Sequence, residues 1–180
     1  MTYERWTGPV SLARELVGEL SDFLRPTAAV ETAAEGEGRD ILDLAAEFDR
    51  RVLDPDLRSA TETRFLTGHY ADAVESGVKA LCECIRSRTG RNEDGDQLMT
   101  RVFSPNDPIL RINRGRTRND ESEQRGHMLL CQGVVAAWRN PRAHALRDDS
   151  PSRALMMLET LNDLITTTKT ATRTRKRRNP

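Results

Sequence analysis

A mainly α-helical protein is what this sequence predicts, and three observations carry the prediction. Apolar residues recur at spacings of three and four over several long stretches. Aromatic residues make up only 4% of a chain that is 37% hydrophobic, so the core must be built from Leu, Ala, Val and Ile. Strands favour β-branched and aromatic side chains, and the latter are scarce here. Finally, prolines and Asp or Ser residues stand where helices start and stop.

Taken in order, residues 9–25 read as a helix with Pro9 in its first turn and Leu12, Leu16, Leu20 and Leu24 along one stripe, stopped by Pro26. Thr27 to Arg39, rich in Ala, Glu, Gly and Thr, shows no apolar period and reads as a linker. Asp40 then caps a helix carrying Ile41, Leu44, Ala45, Phe48 and Val52, which ends around Asp54-Pro55. A long helix is predicted from about His69 to Arg88, with Ala71, Val74, Val78, Leu81 and Ile85 on its inner face.

Between Thr89 and Arg125, five Gly and Pro residues break any long element, so an irregular loop insertion is expected. Within it, Met99, Val102 and Phe103 suit a short helical turn, Ile109 to Ile112 a short extended piece, and Arg111 to Arg125 an exposed loop. His127 to Trp138 is apolar nearly all round, as expected of a central helix, and Arg139-Asn140-Pro141 ends it. Ser150-Pro151 opens a last helix with Leu155, Leu158, Leu161 and Ile165 inward, and Thr166 to Pro180 reads as a polar tail.

Charge is distributed unevenly although the formal net charge is zero. Residues 1–60 hold seven Lys or Arg against thirteen Asp or Glu, whereas residues 111–180 hold fifteen against seven. A basic C-terminal third attracts polyanions, and such attraction weakens with salt. Cys82, Cys84 and Cys131 make neither a disulfide framework nor a zinc site, and buried structural roles are expected for all three. No cofactor, no metal and no membrane partner are expected. Without a signal-like or membrane-spanning apolar run, the chain reads as cytoplasmic.

One segment carries chemistry. Arg139-Asn140-Pro141-Arg142-Ala143-His144 places a permanent cation, an amide and an imidazole within six residues, where a buried helix breaks into a turn. An imidazole titrates near neutrality and can move a proton on or off an oxygen. A guanidinium stabilises charge building on phosphate oxygens. Asn140 can bond a phosphate or hold the imidazole in one tautomer. These are the groups phosphodiester transfer requires, and in RNA the adjacent 2′-hydroxyl supplies the nucleophile. Taken alone, the pattern is also that of a helix C-cap arginine and a turn histidine.

The Arg-Asn-x-x-x-His pattern after a buried helix resembles the signature of the HEPN superfamily of nucleotide-binding domains. Gly68-His69-Tyr70-Ala71-Asp72-Ala73-Val74, running on to Lys79-Ala80-Leu81, and Gly133 to His144 together resemble the Ymh-like group of bacterial and phage-associated proteins placed in that superfamily. The resemblance covers roughly residues 60–168. It implies a HEPN-like helical bundle of four to five helices that dimerises with a composite cleft. It also implies metal-independent endoribonuclease activity on single-stranded RNA, as in toxin–antitoxin or phage-defence systems. Arg139, Asn140 and His144 would be the catalytic residues. The implied organisation is an N-terminal helical extension with linker over 1–58, the bundle over 59–168 and a basic disordered tail over 169–180.

Other residues are weighed beside these. Arg142, Arg114, Arg116 and Arg118 would contact RNA, the last three from a flexible basic loop. His69 and Asp72 would support the site from the start of the long helix, while Glu75 there complements the helix dipole. The partners expected are RNA, a second copy of the chain, and an antitoxin or defence-system protein. The alternative is a non-catalytic dimerisation, nucleotide- or partner-binding module. A DNA-binding regulator is disfavoured, because Met128 to Trp138 is too apolar to face a groove.

Overall fold

The structure, a computed structural model, describes residues 43–140 and 149–174. The chain divides after Asp43, and everything below concerns the second unit, residues 44–180, apart from Asp43 itself. The helix expected over 9–25, the linker of 27–39, and Asp40 and Ile41 lie outside the described residues.

Six helices are described. Helix α1 covers residues 43–51, α2 Pro55–Leu66, α3 Tyr70–Thr89 and α4 Gly95–Phe103. Helix α5 covers Arg118–Val134 and runs into a π turn, Val135–Arg139; α6 covers Pro151–Thr170. Two short strands, β1 (Leu110–Arg111) and β2 (Thr172–Arg173), pair antiparallel with Leu110 opposite Arg173.

The bundle is organised around α3, which packs against α2, α6 and the π turn. Its inward face, Ala73, Val74, Gly77, Val78, Leu81, Cys82 and Ile85, is fully or almost fully buried. At Gly77 the three helices come closest: a Cβ there would stand 2.9 Å from Leu161, 3.1 Å from Leu158 and 3.3 Å from Leu57. A hydrogen at this position is what lets α2 and α6 share one side of α3. The long helix thus matches its predicted span and stripe. Helix α6 matches its predicted start and stripe: the Ser150 hydroxyl accepts from the Arg153 amide, Pro151 opens the first turn, and Leu155, Leu158, Leu161 and Ile165 are buried.

Helix α2 is absent from the sequence expectations. Its only large inward residues are Leu57 and Phe65, with Thr61 between them, so the apolar stripe is interrupted by a hydroxyl. Thr61 is nonetheless fully buried, because its Oγ1 donates to the Leu57 carbonyl at 2.7 Å. The Asp54-Pro55 pair, read as the end of one helix, is also the start of the next. Asp54 accepts from the amides of Asp56 and Leu57, and Pro55 occupies the first turn. Phe48 and Val52, from the stretch assigned to an N-terminal extension, are fully buried in the core. Phe48 lies 5.1 Å from the Phe65 ring, which meets Tyr70 edge-on at 5.3 Å.

Several expectations are corrected. Residues 118–125 are not loop but the first turns of α5. Thr117 and Asp120 form a capping box there, which fixes the start without any apolar period. The buried contact in those turns is an amide: Gln124 donates to the carbonyls of Phe103 and Leu110 and accepts from the Ile112 amide. Nor is the His127–Trp138 segment central. Leu129 and Leu130 are 52% and 57% exposed, and α3 takes the middle instead. The short turn around Met99 is a nine-residue helix burying Leu98, Met99, Val102 and Phe103. The extended piece at Ile109–Ile112 holds β1. The polar tail begins later than expected: threonines 166 and 170 return their hydroxyls to carbonyls of their own helix, which runs to Thr170 before β2. Residues 175–180 lie outside the described set.

All three cysteines are buried and free. Burial, with a smaller push from Cys82, takes the Cys131 thiol up to about 12, so it is inert. No described helix is long and apolar enough to cross a membrane.

Two measurements check this account. Asp54 caps α2 and receives the Lys169 ammonium at 2.6 Å, while its own amide donates to Asn162 Oδ1 at 2.7 Å. Asp54→Ala is expected to cost about 2 kcal/mol in urea unfolding, because a cap and a nearly buried ion pair are lost together. A loss within roughly 0.5 kcal/mol, the range of an ordinary surface change, would show that the junction is incidental. The second concerns His127, which is buried edge-on to Phe103 at 4.7 Å. Burial lowers its pKa from 6.5 against the opposing charges of Asp163 and Glu123. Below about pH 6.5 the unfolded chain takes a proton that the folded chain resists, so this contribution is present above that pH and lost as pH falls. His127→Phe should flatten the decline in melting temperature between roughly pH 7 and pH 5.5; an unchanged decline would exclude His127 as its source.

Candidate active site

The site begins with a change of helical pitch. At the end of α5 the Asn140 amide bonds the Val135 carbonyl, five residues back, so the last turn is wider than an α turn. Val135 is buried and anchors this turn against the core. Gln132 Nε2, one turn earlier, donates to Thr100 Oγ1 at 2.9 Å and fixes α5 across α4. The wide turn ends on Arg139, which is carried back toward α3 and the start of α4.

There it meets a carboxylate. Arg139 Nη1 donates to Asp94 Oδ2 at 2.8 Å, and Arg86 Nη2, from α3, donates to Asp94 Oδ1 at 2.6 Å. Asp94 stands at the N-cap position of α4, yet its side chain makes no cap bond there because both oxygens are turned to arginines. The Arg139 hydrogen bond, and then the Gly95 amide, hold the Asp94 carboxyl below its ordinary range despite some burial. Asp94 in turn raises the Arg139 pKa, with lesser contributions from Cys82 and Glu75 on α3. Two guanidinium groups on one carboxylate leave one positive charge uncompensated within the triad, and Arg139 keeps further N–H donors for a ligand.

Arg139 and Asn140 line an open cleft of about 490 Å³ with Asp94, Gly95, Asp96 and Gln132, backed by Gly133, Val135 and Ala136. Asn140 is exposed at its edge. The cleft therefore offers a fixed cation, a carboxamide and the first amides of α4 to a bound group, with Asp96 at its rim. Such an arrangement can orient an anion of modest size and can exclude a second one by charge.

Of the sequence-predicted site residues, Arg139 and Asn140 share this cleft. Arg142 and His144 lie outside the described residues. His69 is exposed at the N-cap of α3, where its Nδ1 lies 3.0 Å from Thr67 Oγ1; Asp72 is exposed in the first turn. Neither lines the cleft. Glu75, read as a dipole complement, lies one turn beyond Asp72 on the face that carries Cys82 and Arg86. It pairs with Lys79 at 2.6 Å and adds to the field at Arg139. Arg114 and Arg116 line a different cleft beside β1 and β2, and Arg118 lines another with Arg125. Sequence reasoning missed Asp94 and Arg86 altogether. The Asp94-Gly95 pair ahead of an amphipathic stretch marks a helix start, but nothing in the chain marks its partner 45 positions away.

The family model Hypoth_Ymh, described as a protein of unknown function, matches residues 51–167. The chain belongs to the Hypoth_Ymh family. No curated protein and no solved structure matches it. The Hypoth_Ymh match begins at the end of α1 and closes within α6, so it contains Arg86, Asp94, Arg139, Asn140 and His144.

Asp94→Asn tests the triad. Removing the charge shared by two half-exposed arginines is expected to cost about 1 kcal/mol of stability in urea unfolding, with most of the effect screened by molar salt. Labelling of Arg139 by an arginine-specific dicarbonyl should also accelerate. Unchanged stability and unchanged labelling would mean that Asp94 does not hold Arg139.

Proposed function

We propose that this Hypoth_Ymh protein is a metal-independent endoribonuclease of the HEPN type that cleaves single-stranded RNA through 2′-hydroxyl attack. The observation that supports it most is the placement of Arg139 and Asn140. A wide helical turn puts both on the wall of an open cleft, and Asp94 braces the arginine. His144 follows Asn140 by four positions, across Pro141.

In this reading Arg139 binds and polarises the scissile phosphate through the donors that Asp94 leaves free. His144 removes or returns the proton of the 2′-hydroxyl, and Asn140 bonds a non-bridging oxygen or the imidazole. The 2′-oxygen attacks phosphorus, the bond to the 5′-oxygen breaks, and the products carry a 2′,3′-cyclic phosphate and a 5′-hydroxyl. Two copies of the chain face each other so that their Arg-Asn…His segments form one composite site. Arg142 and the arginines of residues 114–118 bind the RNA strand. The setting is the cytoplasm, where the protein acts as a toxin or phage-defence effector restrained by an antitoxin or a partner of its own system.

A second reading is a non-catalytic dimerisation, nucleotide- or partner-binding module. It is favoured by the outer face of α5, where Leu129 and Leu130 stand exposed beside Gly133 and Ala137. That face serves association in either case.

Purified protein in EDTA should cut single-stranded RNA to the products named. Arg139→Ala and His144→Ala should each lower the rate by roughly a hundredfold or more with circular dichroism unchanged, Arg139→Ala losing only the small stability of its ion pair with Asp94. Equal cutting by wild type and both variants would identify a contaminant. A stable dimer without RNA products would favour the module.

A further inference from the structure

Some of the described arginines are ion-paired and others are not, Arg64, Arg88, Arg101, Arg118, Arg125 and Arg173 belonging with the second set. Arg50, Arg51, Arg58, Arg86, Arg91, Arg139 and Arg153 are each ion-paired. Among the described residues, Arg111, Arg114 and Arg116 form no ion pair, although Asp120 and Glu123 lie close by. Both carboxylates accept from neutral amides instead of pairing with a guanidinium, while the charge of Asp120 still attracts Arg114 from a distance. Asp120 Oδ2 accepts from the Arg116 amide at 2.8 Å and the Thr117 amide at 3.2 Å, and Glu123 Oε2 accepts from Asn113 Nδ2 at 2.9 Å. Asn113 also donates to the Asp120 carbonyl and accepts from the Gly115 amide.

The result is a braced turn rather than a flexible basic loop. Gly115 has φ +60° and lies directly beneath the Arg111 guanidinium, so a Cβ there would strike it. The turn opens on a cleft of about 460 Å³ lined by Arg111, Asn113, Arg114, Arg116, Thr172 and Thr174. Strand β2 forms its far wall. Thr172 and Thr174 face the cleft, while Arg173, between them, turns away to donate to the Thr89 carbonyl. The residues that follow Thr174 in the chain are Arg175, Lys176, Arg177 and Arg178.

We infer that this cleft is a second nucleic-acid site, separate from the Arg139 cleft, which grips successive backbone phosphates of a single-stranded polynucleotide. RNA is taken as the occupant on the strength of the function proposed above. Three guanidinium groups without an ion-pair partner on a hydrogen-bonded turn, with the Thr172 hydroxyl opposite and the Thr174 hydroxyl held by the Pro108 carbonyl, suit phosphate oxygens rather than bases. No aromatic residue lines the cleft, so stacking adds nothing, and affinity there is electrostatic and indifferent to sequence.

Binding is read apart from cleavage by using the full chain carrying Arg139→Ala, in EDTA, with a fluorescent single-stranded RNA titrated across a salt series. Adding Arg111→Gln, Arg114→Gln and Arg116→Gln should remove three phosphate contacts. At about 0.7 counterions per contact, the parent chain should then lose roughly twentyfold more affinity than this variant between about 50 and 200 mM salt. Arg50→Gln, Arg51→Gln and Arg153→Gln together, the same change of charge among paired arginines, should leave the slope as it was. An unchanged slope in the cleft variant, or an equal change in the control, overturns the inference. A single-stranded DNA of the same sequence distinguishes the polymer: equal or weaker binding than RNA supports RNA, and tighter binding overturns that assignment. Because cleavage is not measured, loss of the cleft proposal leaves the nuclease proposal standing, while failure of the nuclease proposal leaves the phosphate grip standing and the choice of polymer to the DNA comparison.

Discussion

The geometry around Arg139 depends on one shared carboxylate. Asp94 receives a guanidinium from the middle helix of the bundle and another from the widened end of α5, while its backbone begins α4. The end of α3, the start of α4 just beyond it, and the end of α5 45 positions further on thereby converge on two oxygen atoms. Without a negative charge there, Arg86 and Arg139 would repel one another across a partly desolvated space. The exposed half of Asp94 keeps the cluster wet, so its role is positional more than energetic.

The same logic of shared polar groups recurs where the bundle is closed. Asp54 joins the beginning of α2 to the end of α6 through Lys169, and Asn162 receives the two amides before it. Gln124 ties the strand β1 and the end of α4 to α5 with three hydrogen bonds from one buried side chain. Apolar burial supplies most of the cohesion of this domain, but it is non-directional. These few polar residues select which helix ends meet, because any other alignment would bury their amides and carboxylates unpaired.

How much of this was legible in the chain follows from the kind of signal each element leaves. Helices α3 and α6 announce themselves, since Val, Leu and Ile recur at helical spacing along the whole of their inward faces. Helix α2 and the first turns of α5 do not, because Thr61 and Gln124 occupy buried positions and read as surface. The apolar run from His127 to Trp138 misleads in the opposite direction: Leu129 and Leu130 lie outward, and periodicity cannot separate a core face from one awaiting association. At the site, Arg139 and Asn140 were legible as a local pattern at a helix end. Asp94 and Arg86 were not, since the pairing that draws them to Arg139 spans 45 positions, is set by packing and leaves no trace in spacing.

The π turn has a consequence for how this region tolerates change. One residue corresponds to about 100° of rotation in an α-helix, so a turn with one residue to spare reorients everything after it by that amount. The direction in which Arg139 points is thus encoded in the number of residues between Val135 and Asn140, and only weakly in their identity. Insertion or deletion of a single codon is not equivalent to a substitution there, because it would swing the guanidinium off its carboxylate while leaving the bundle intact.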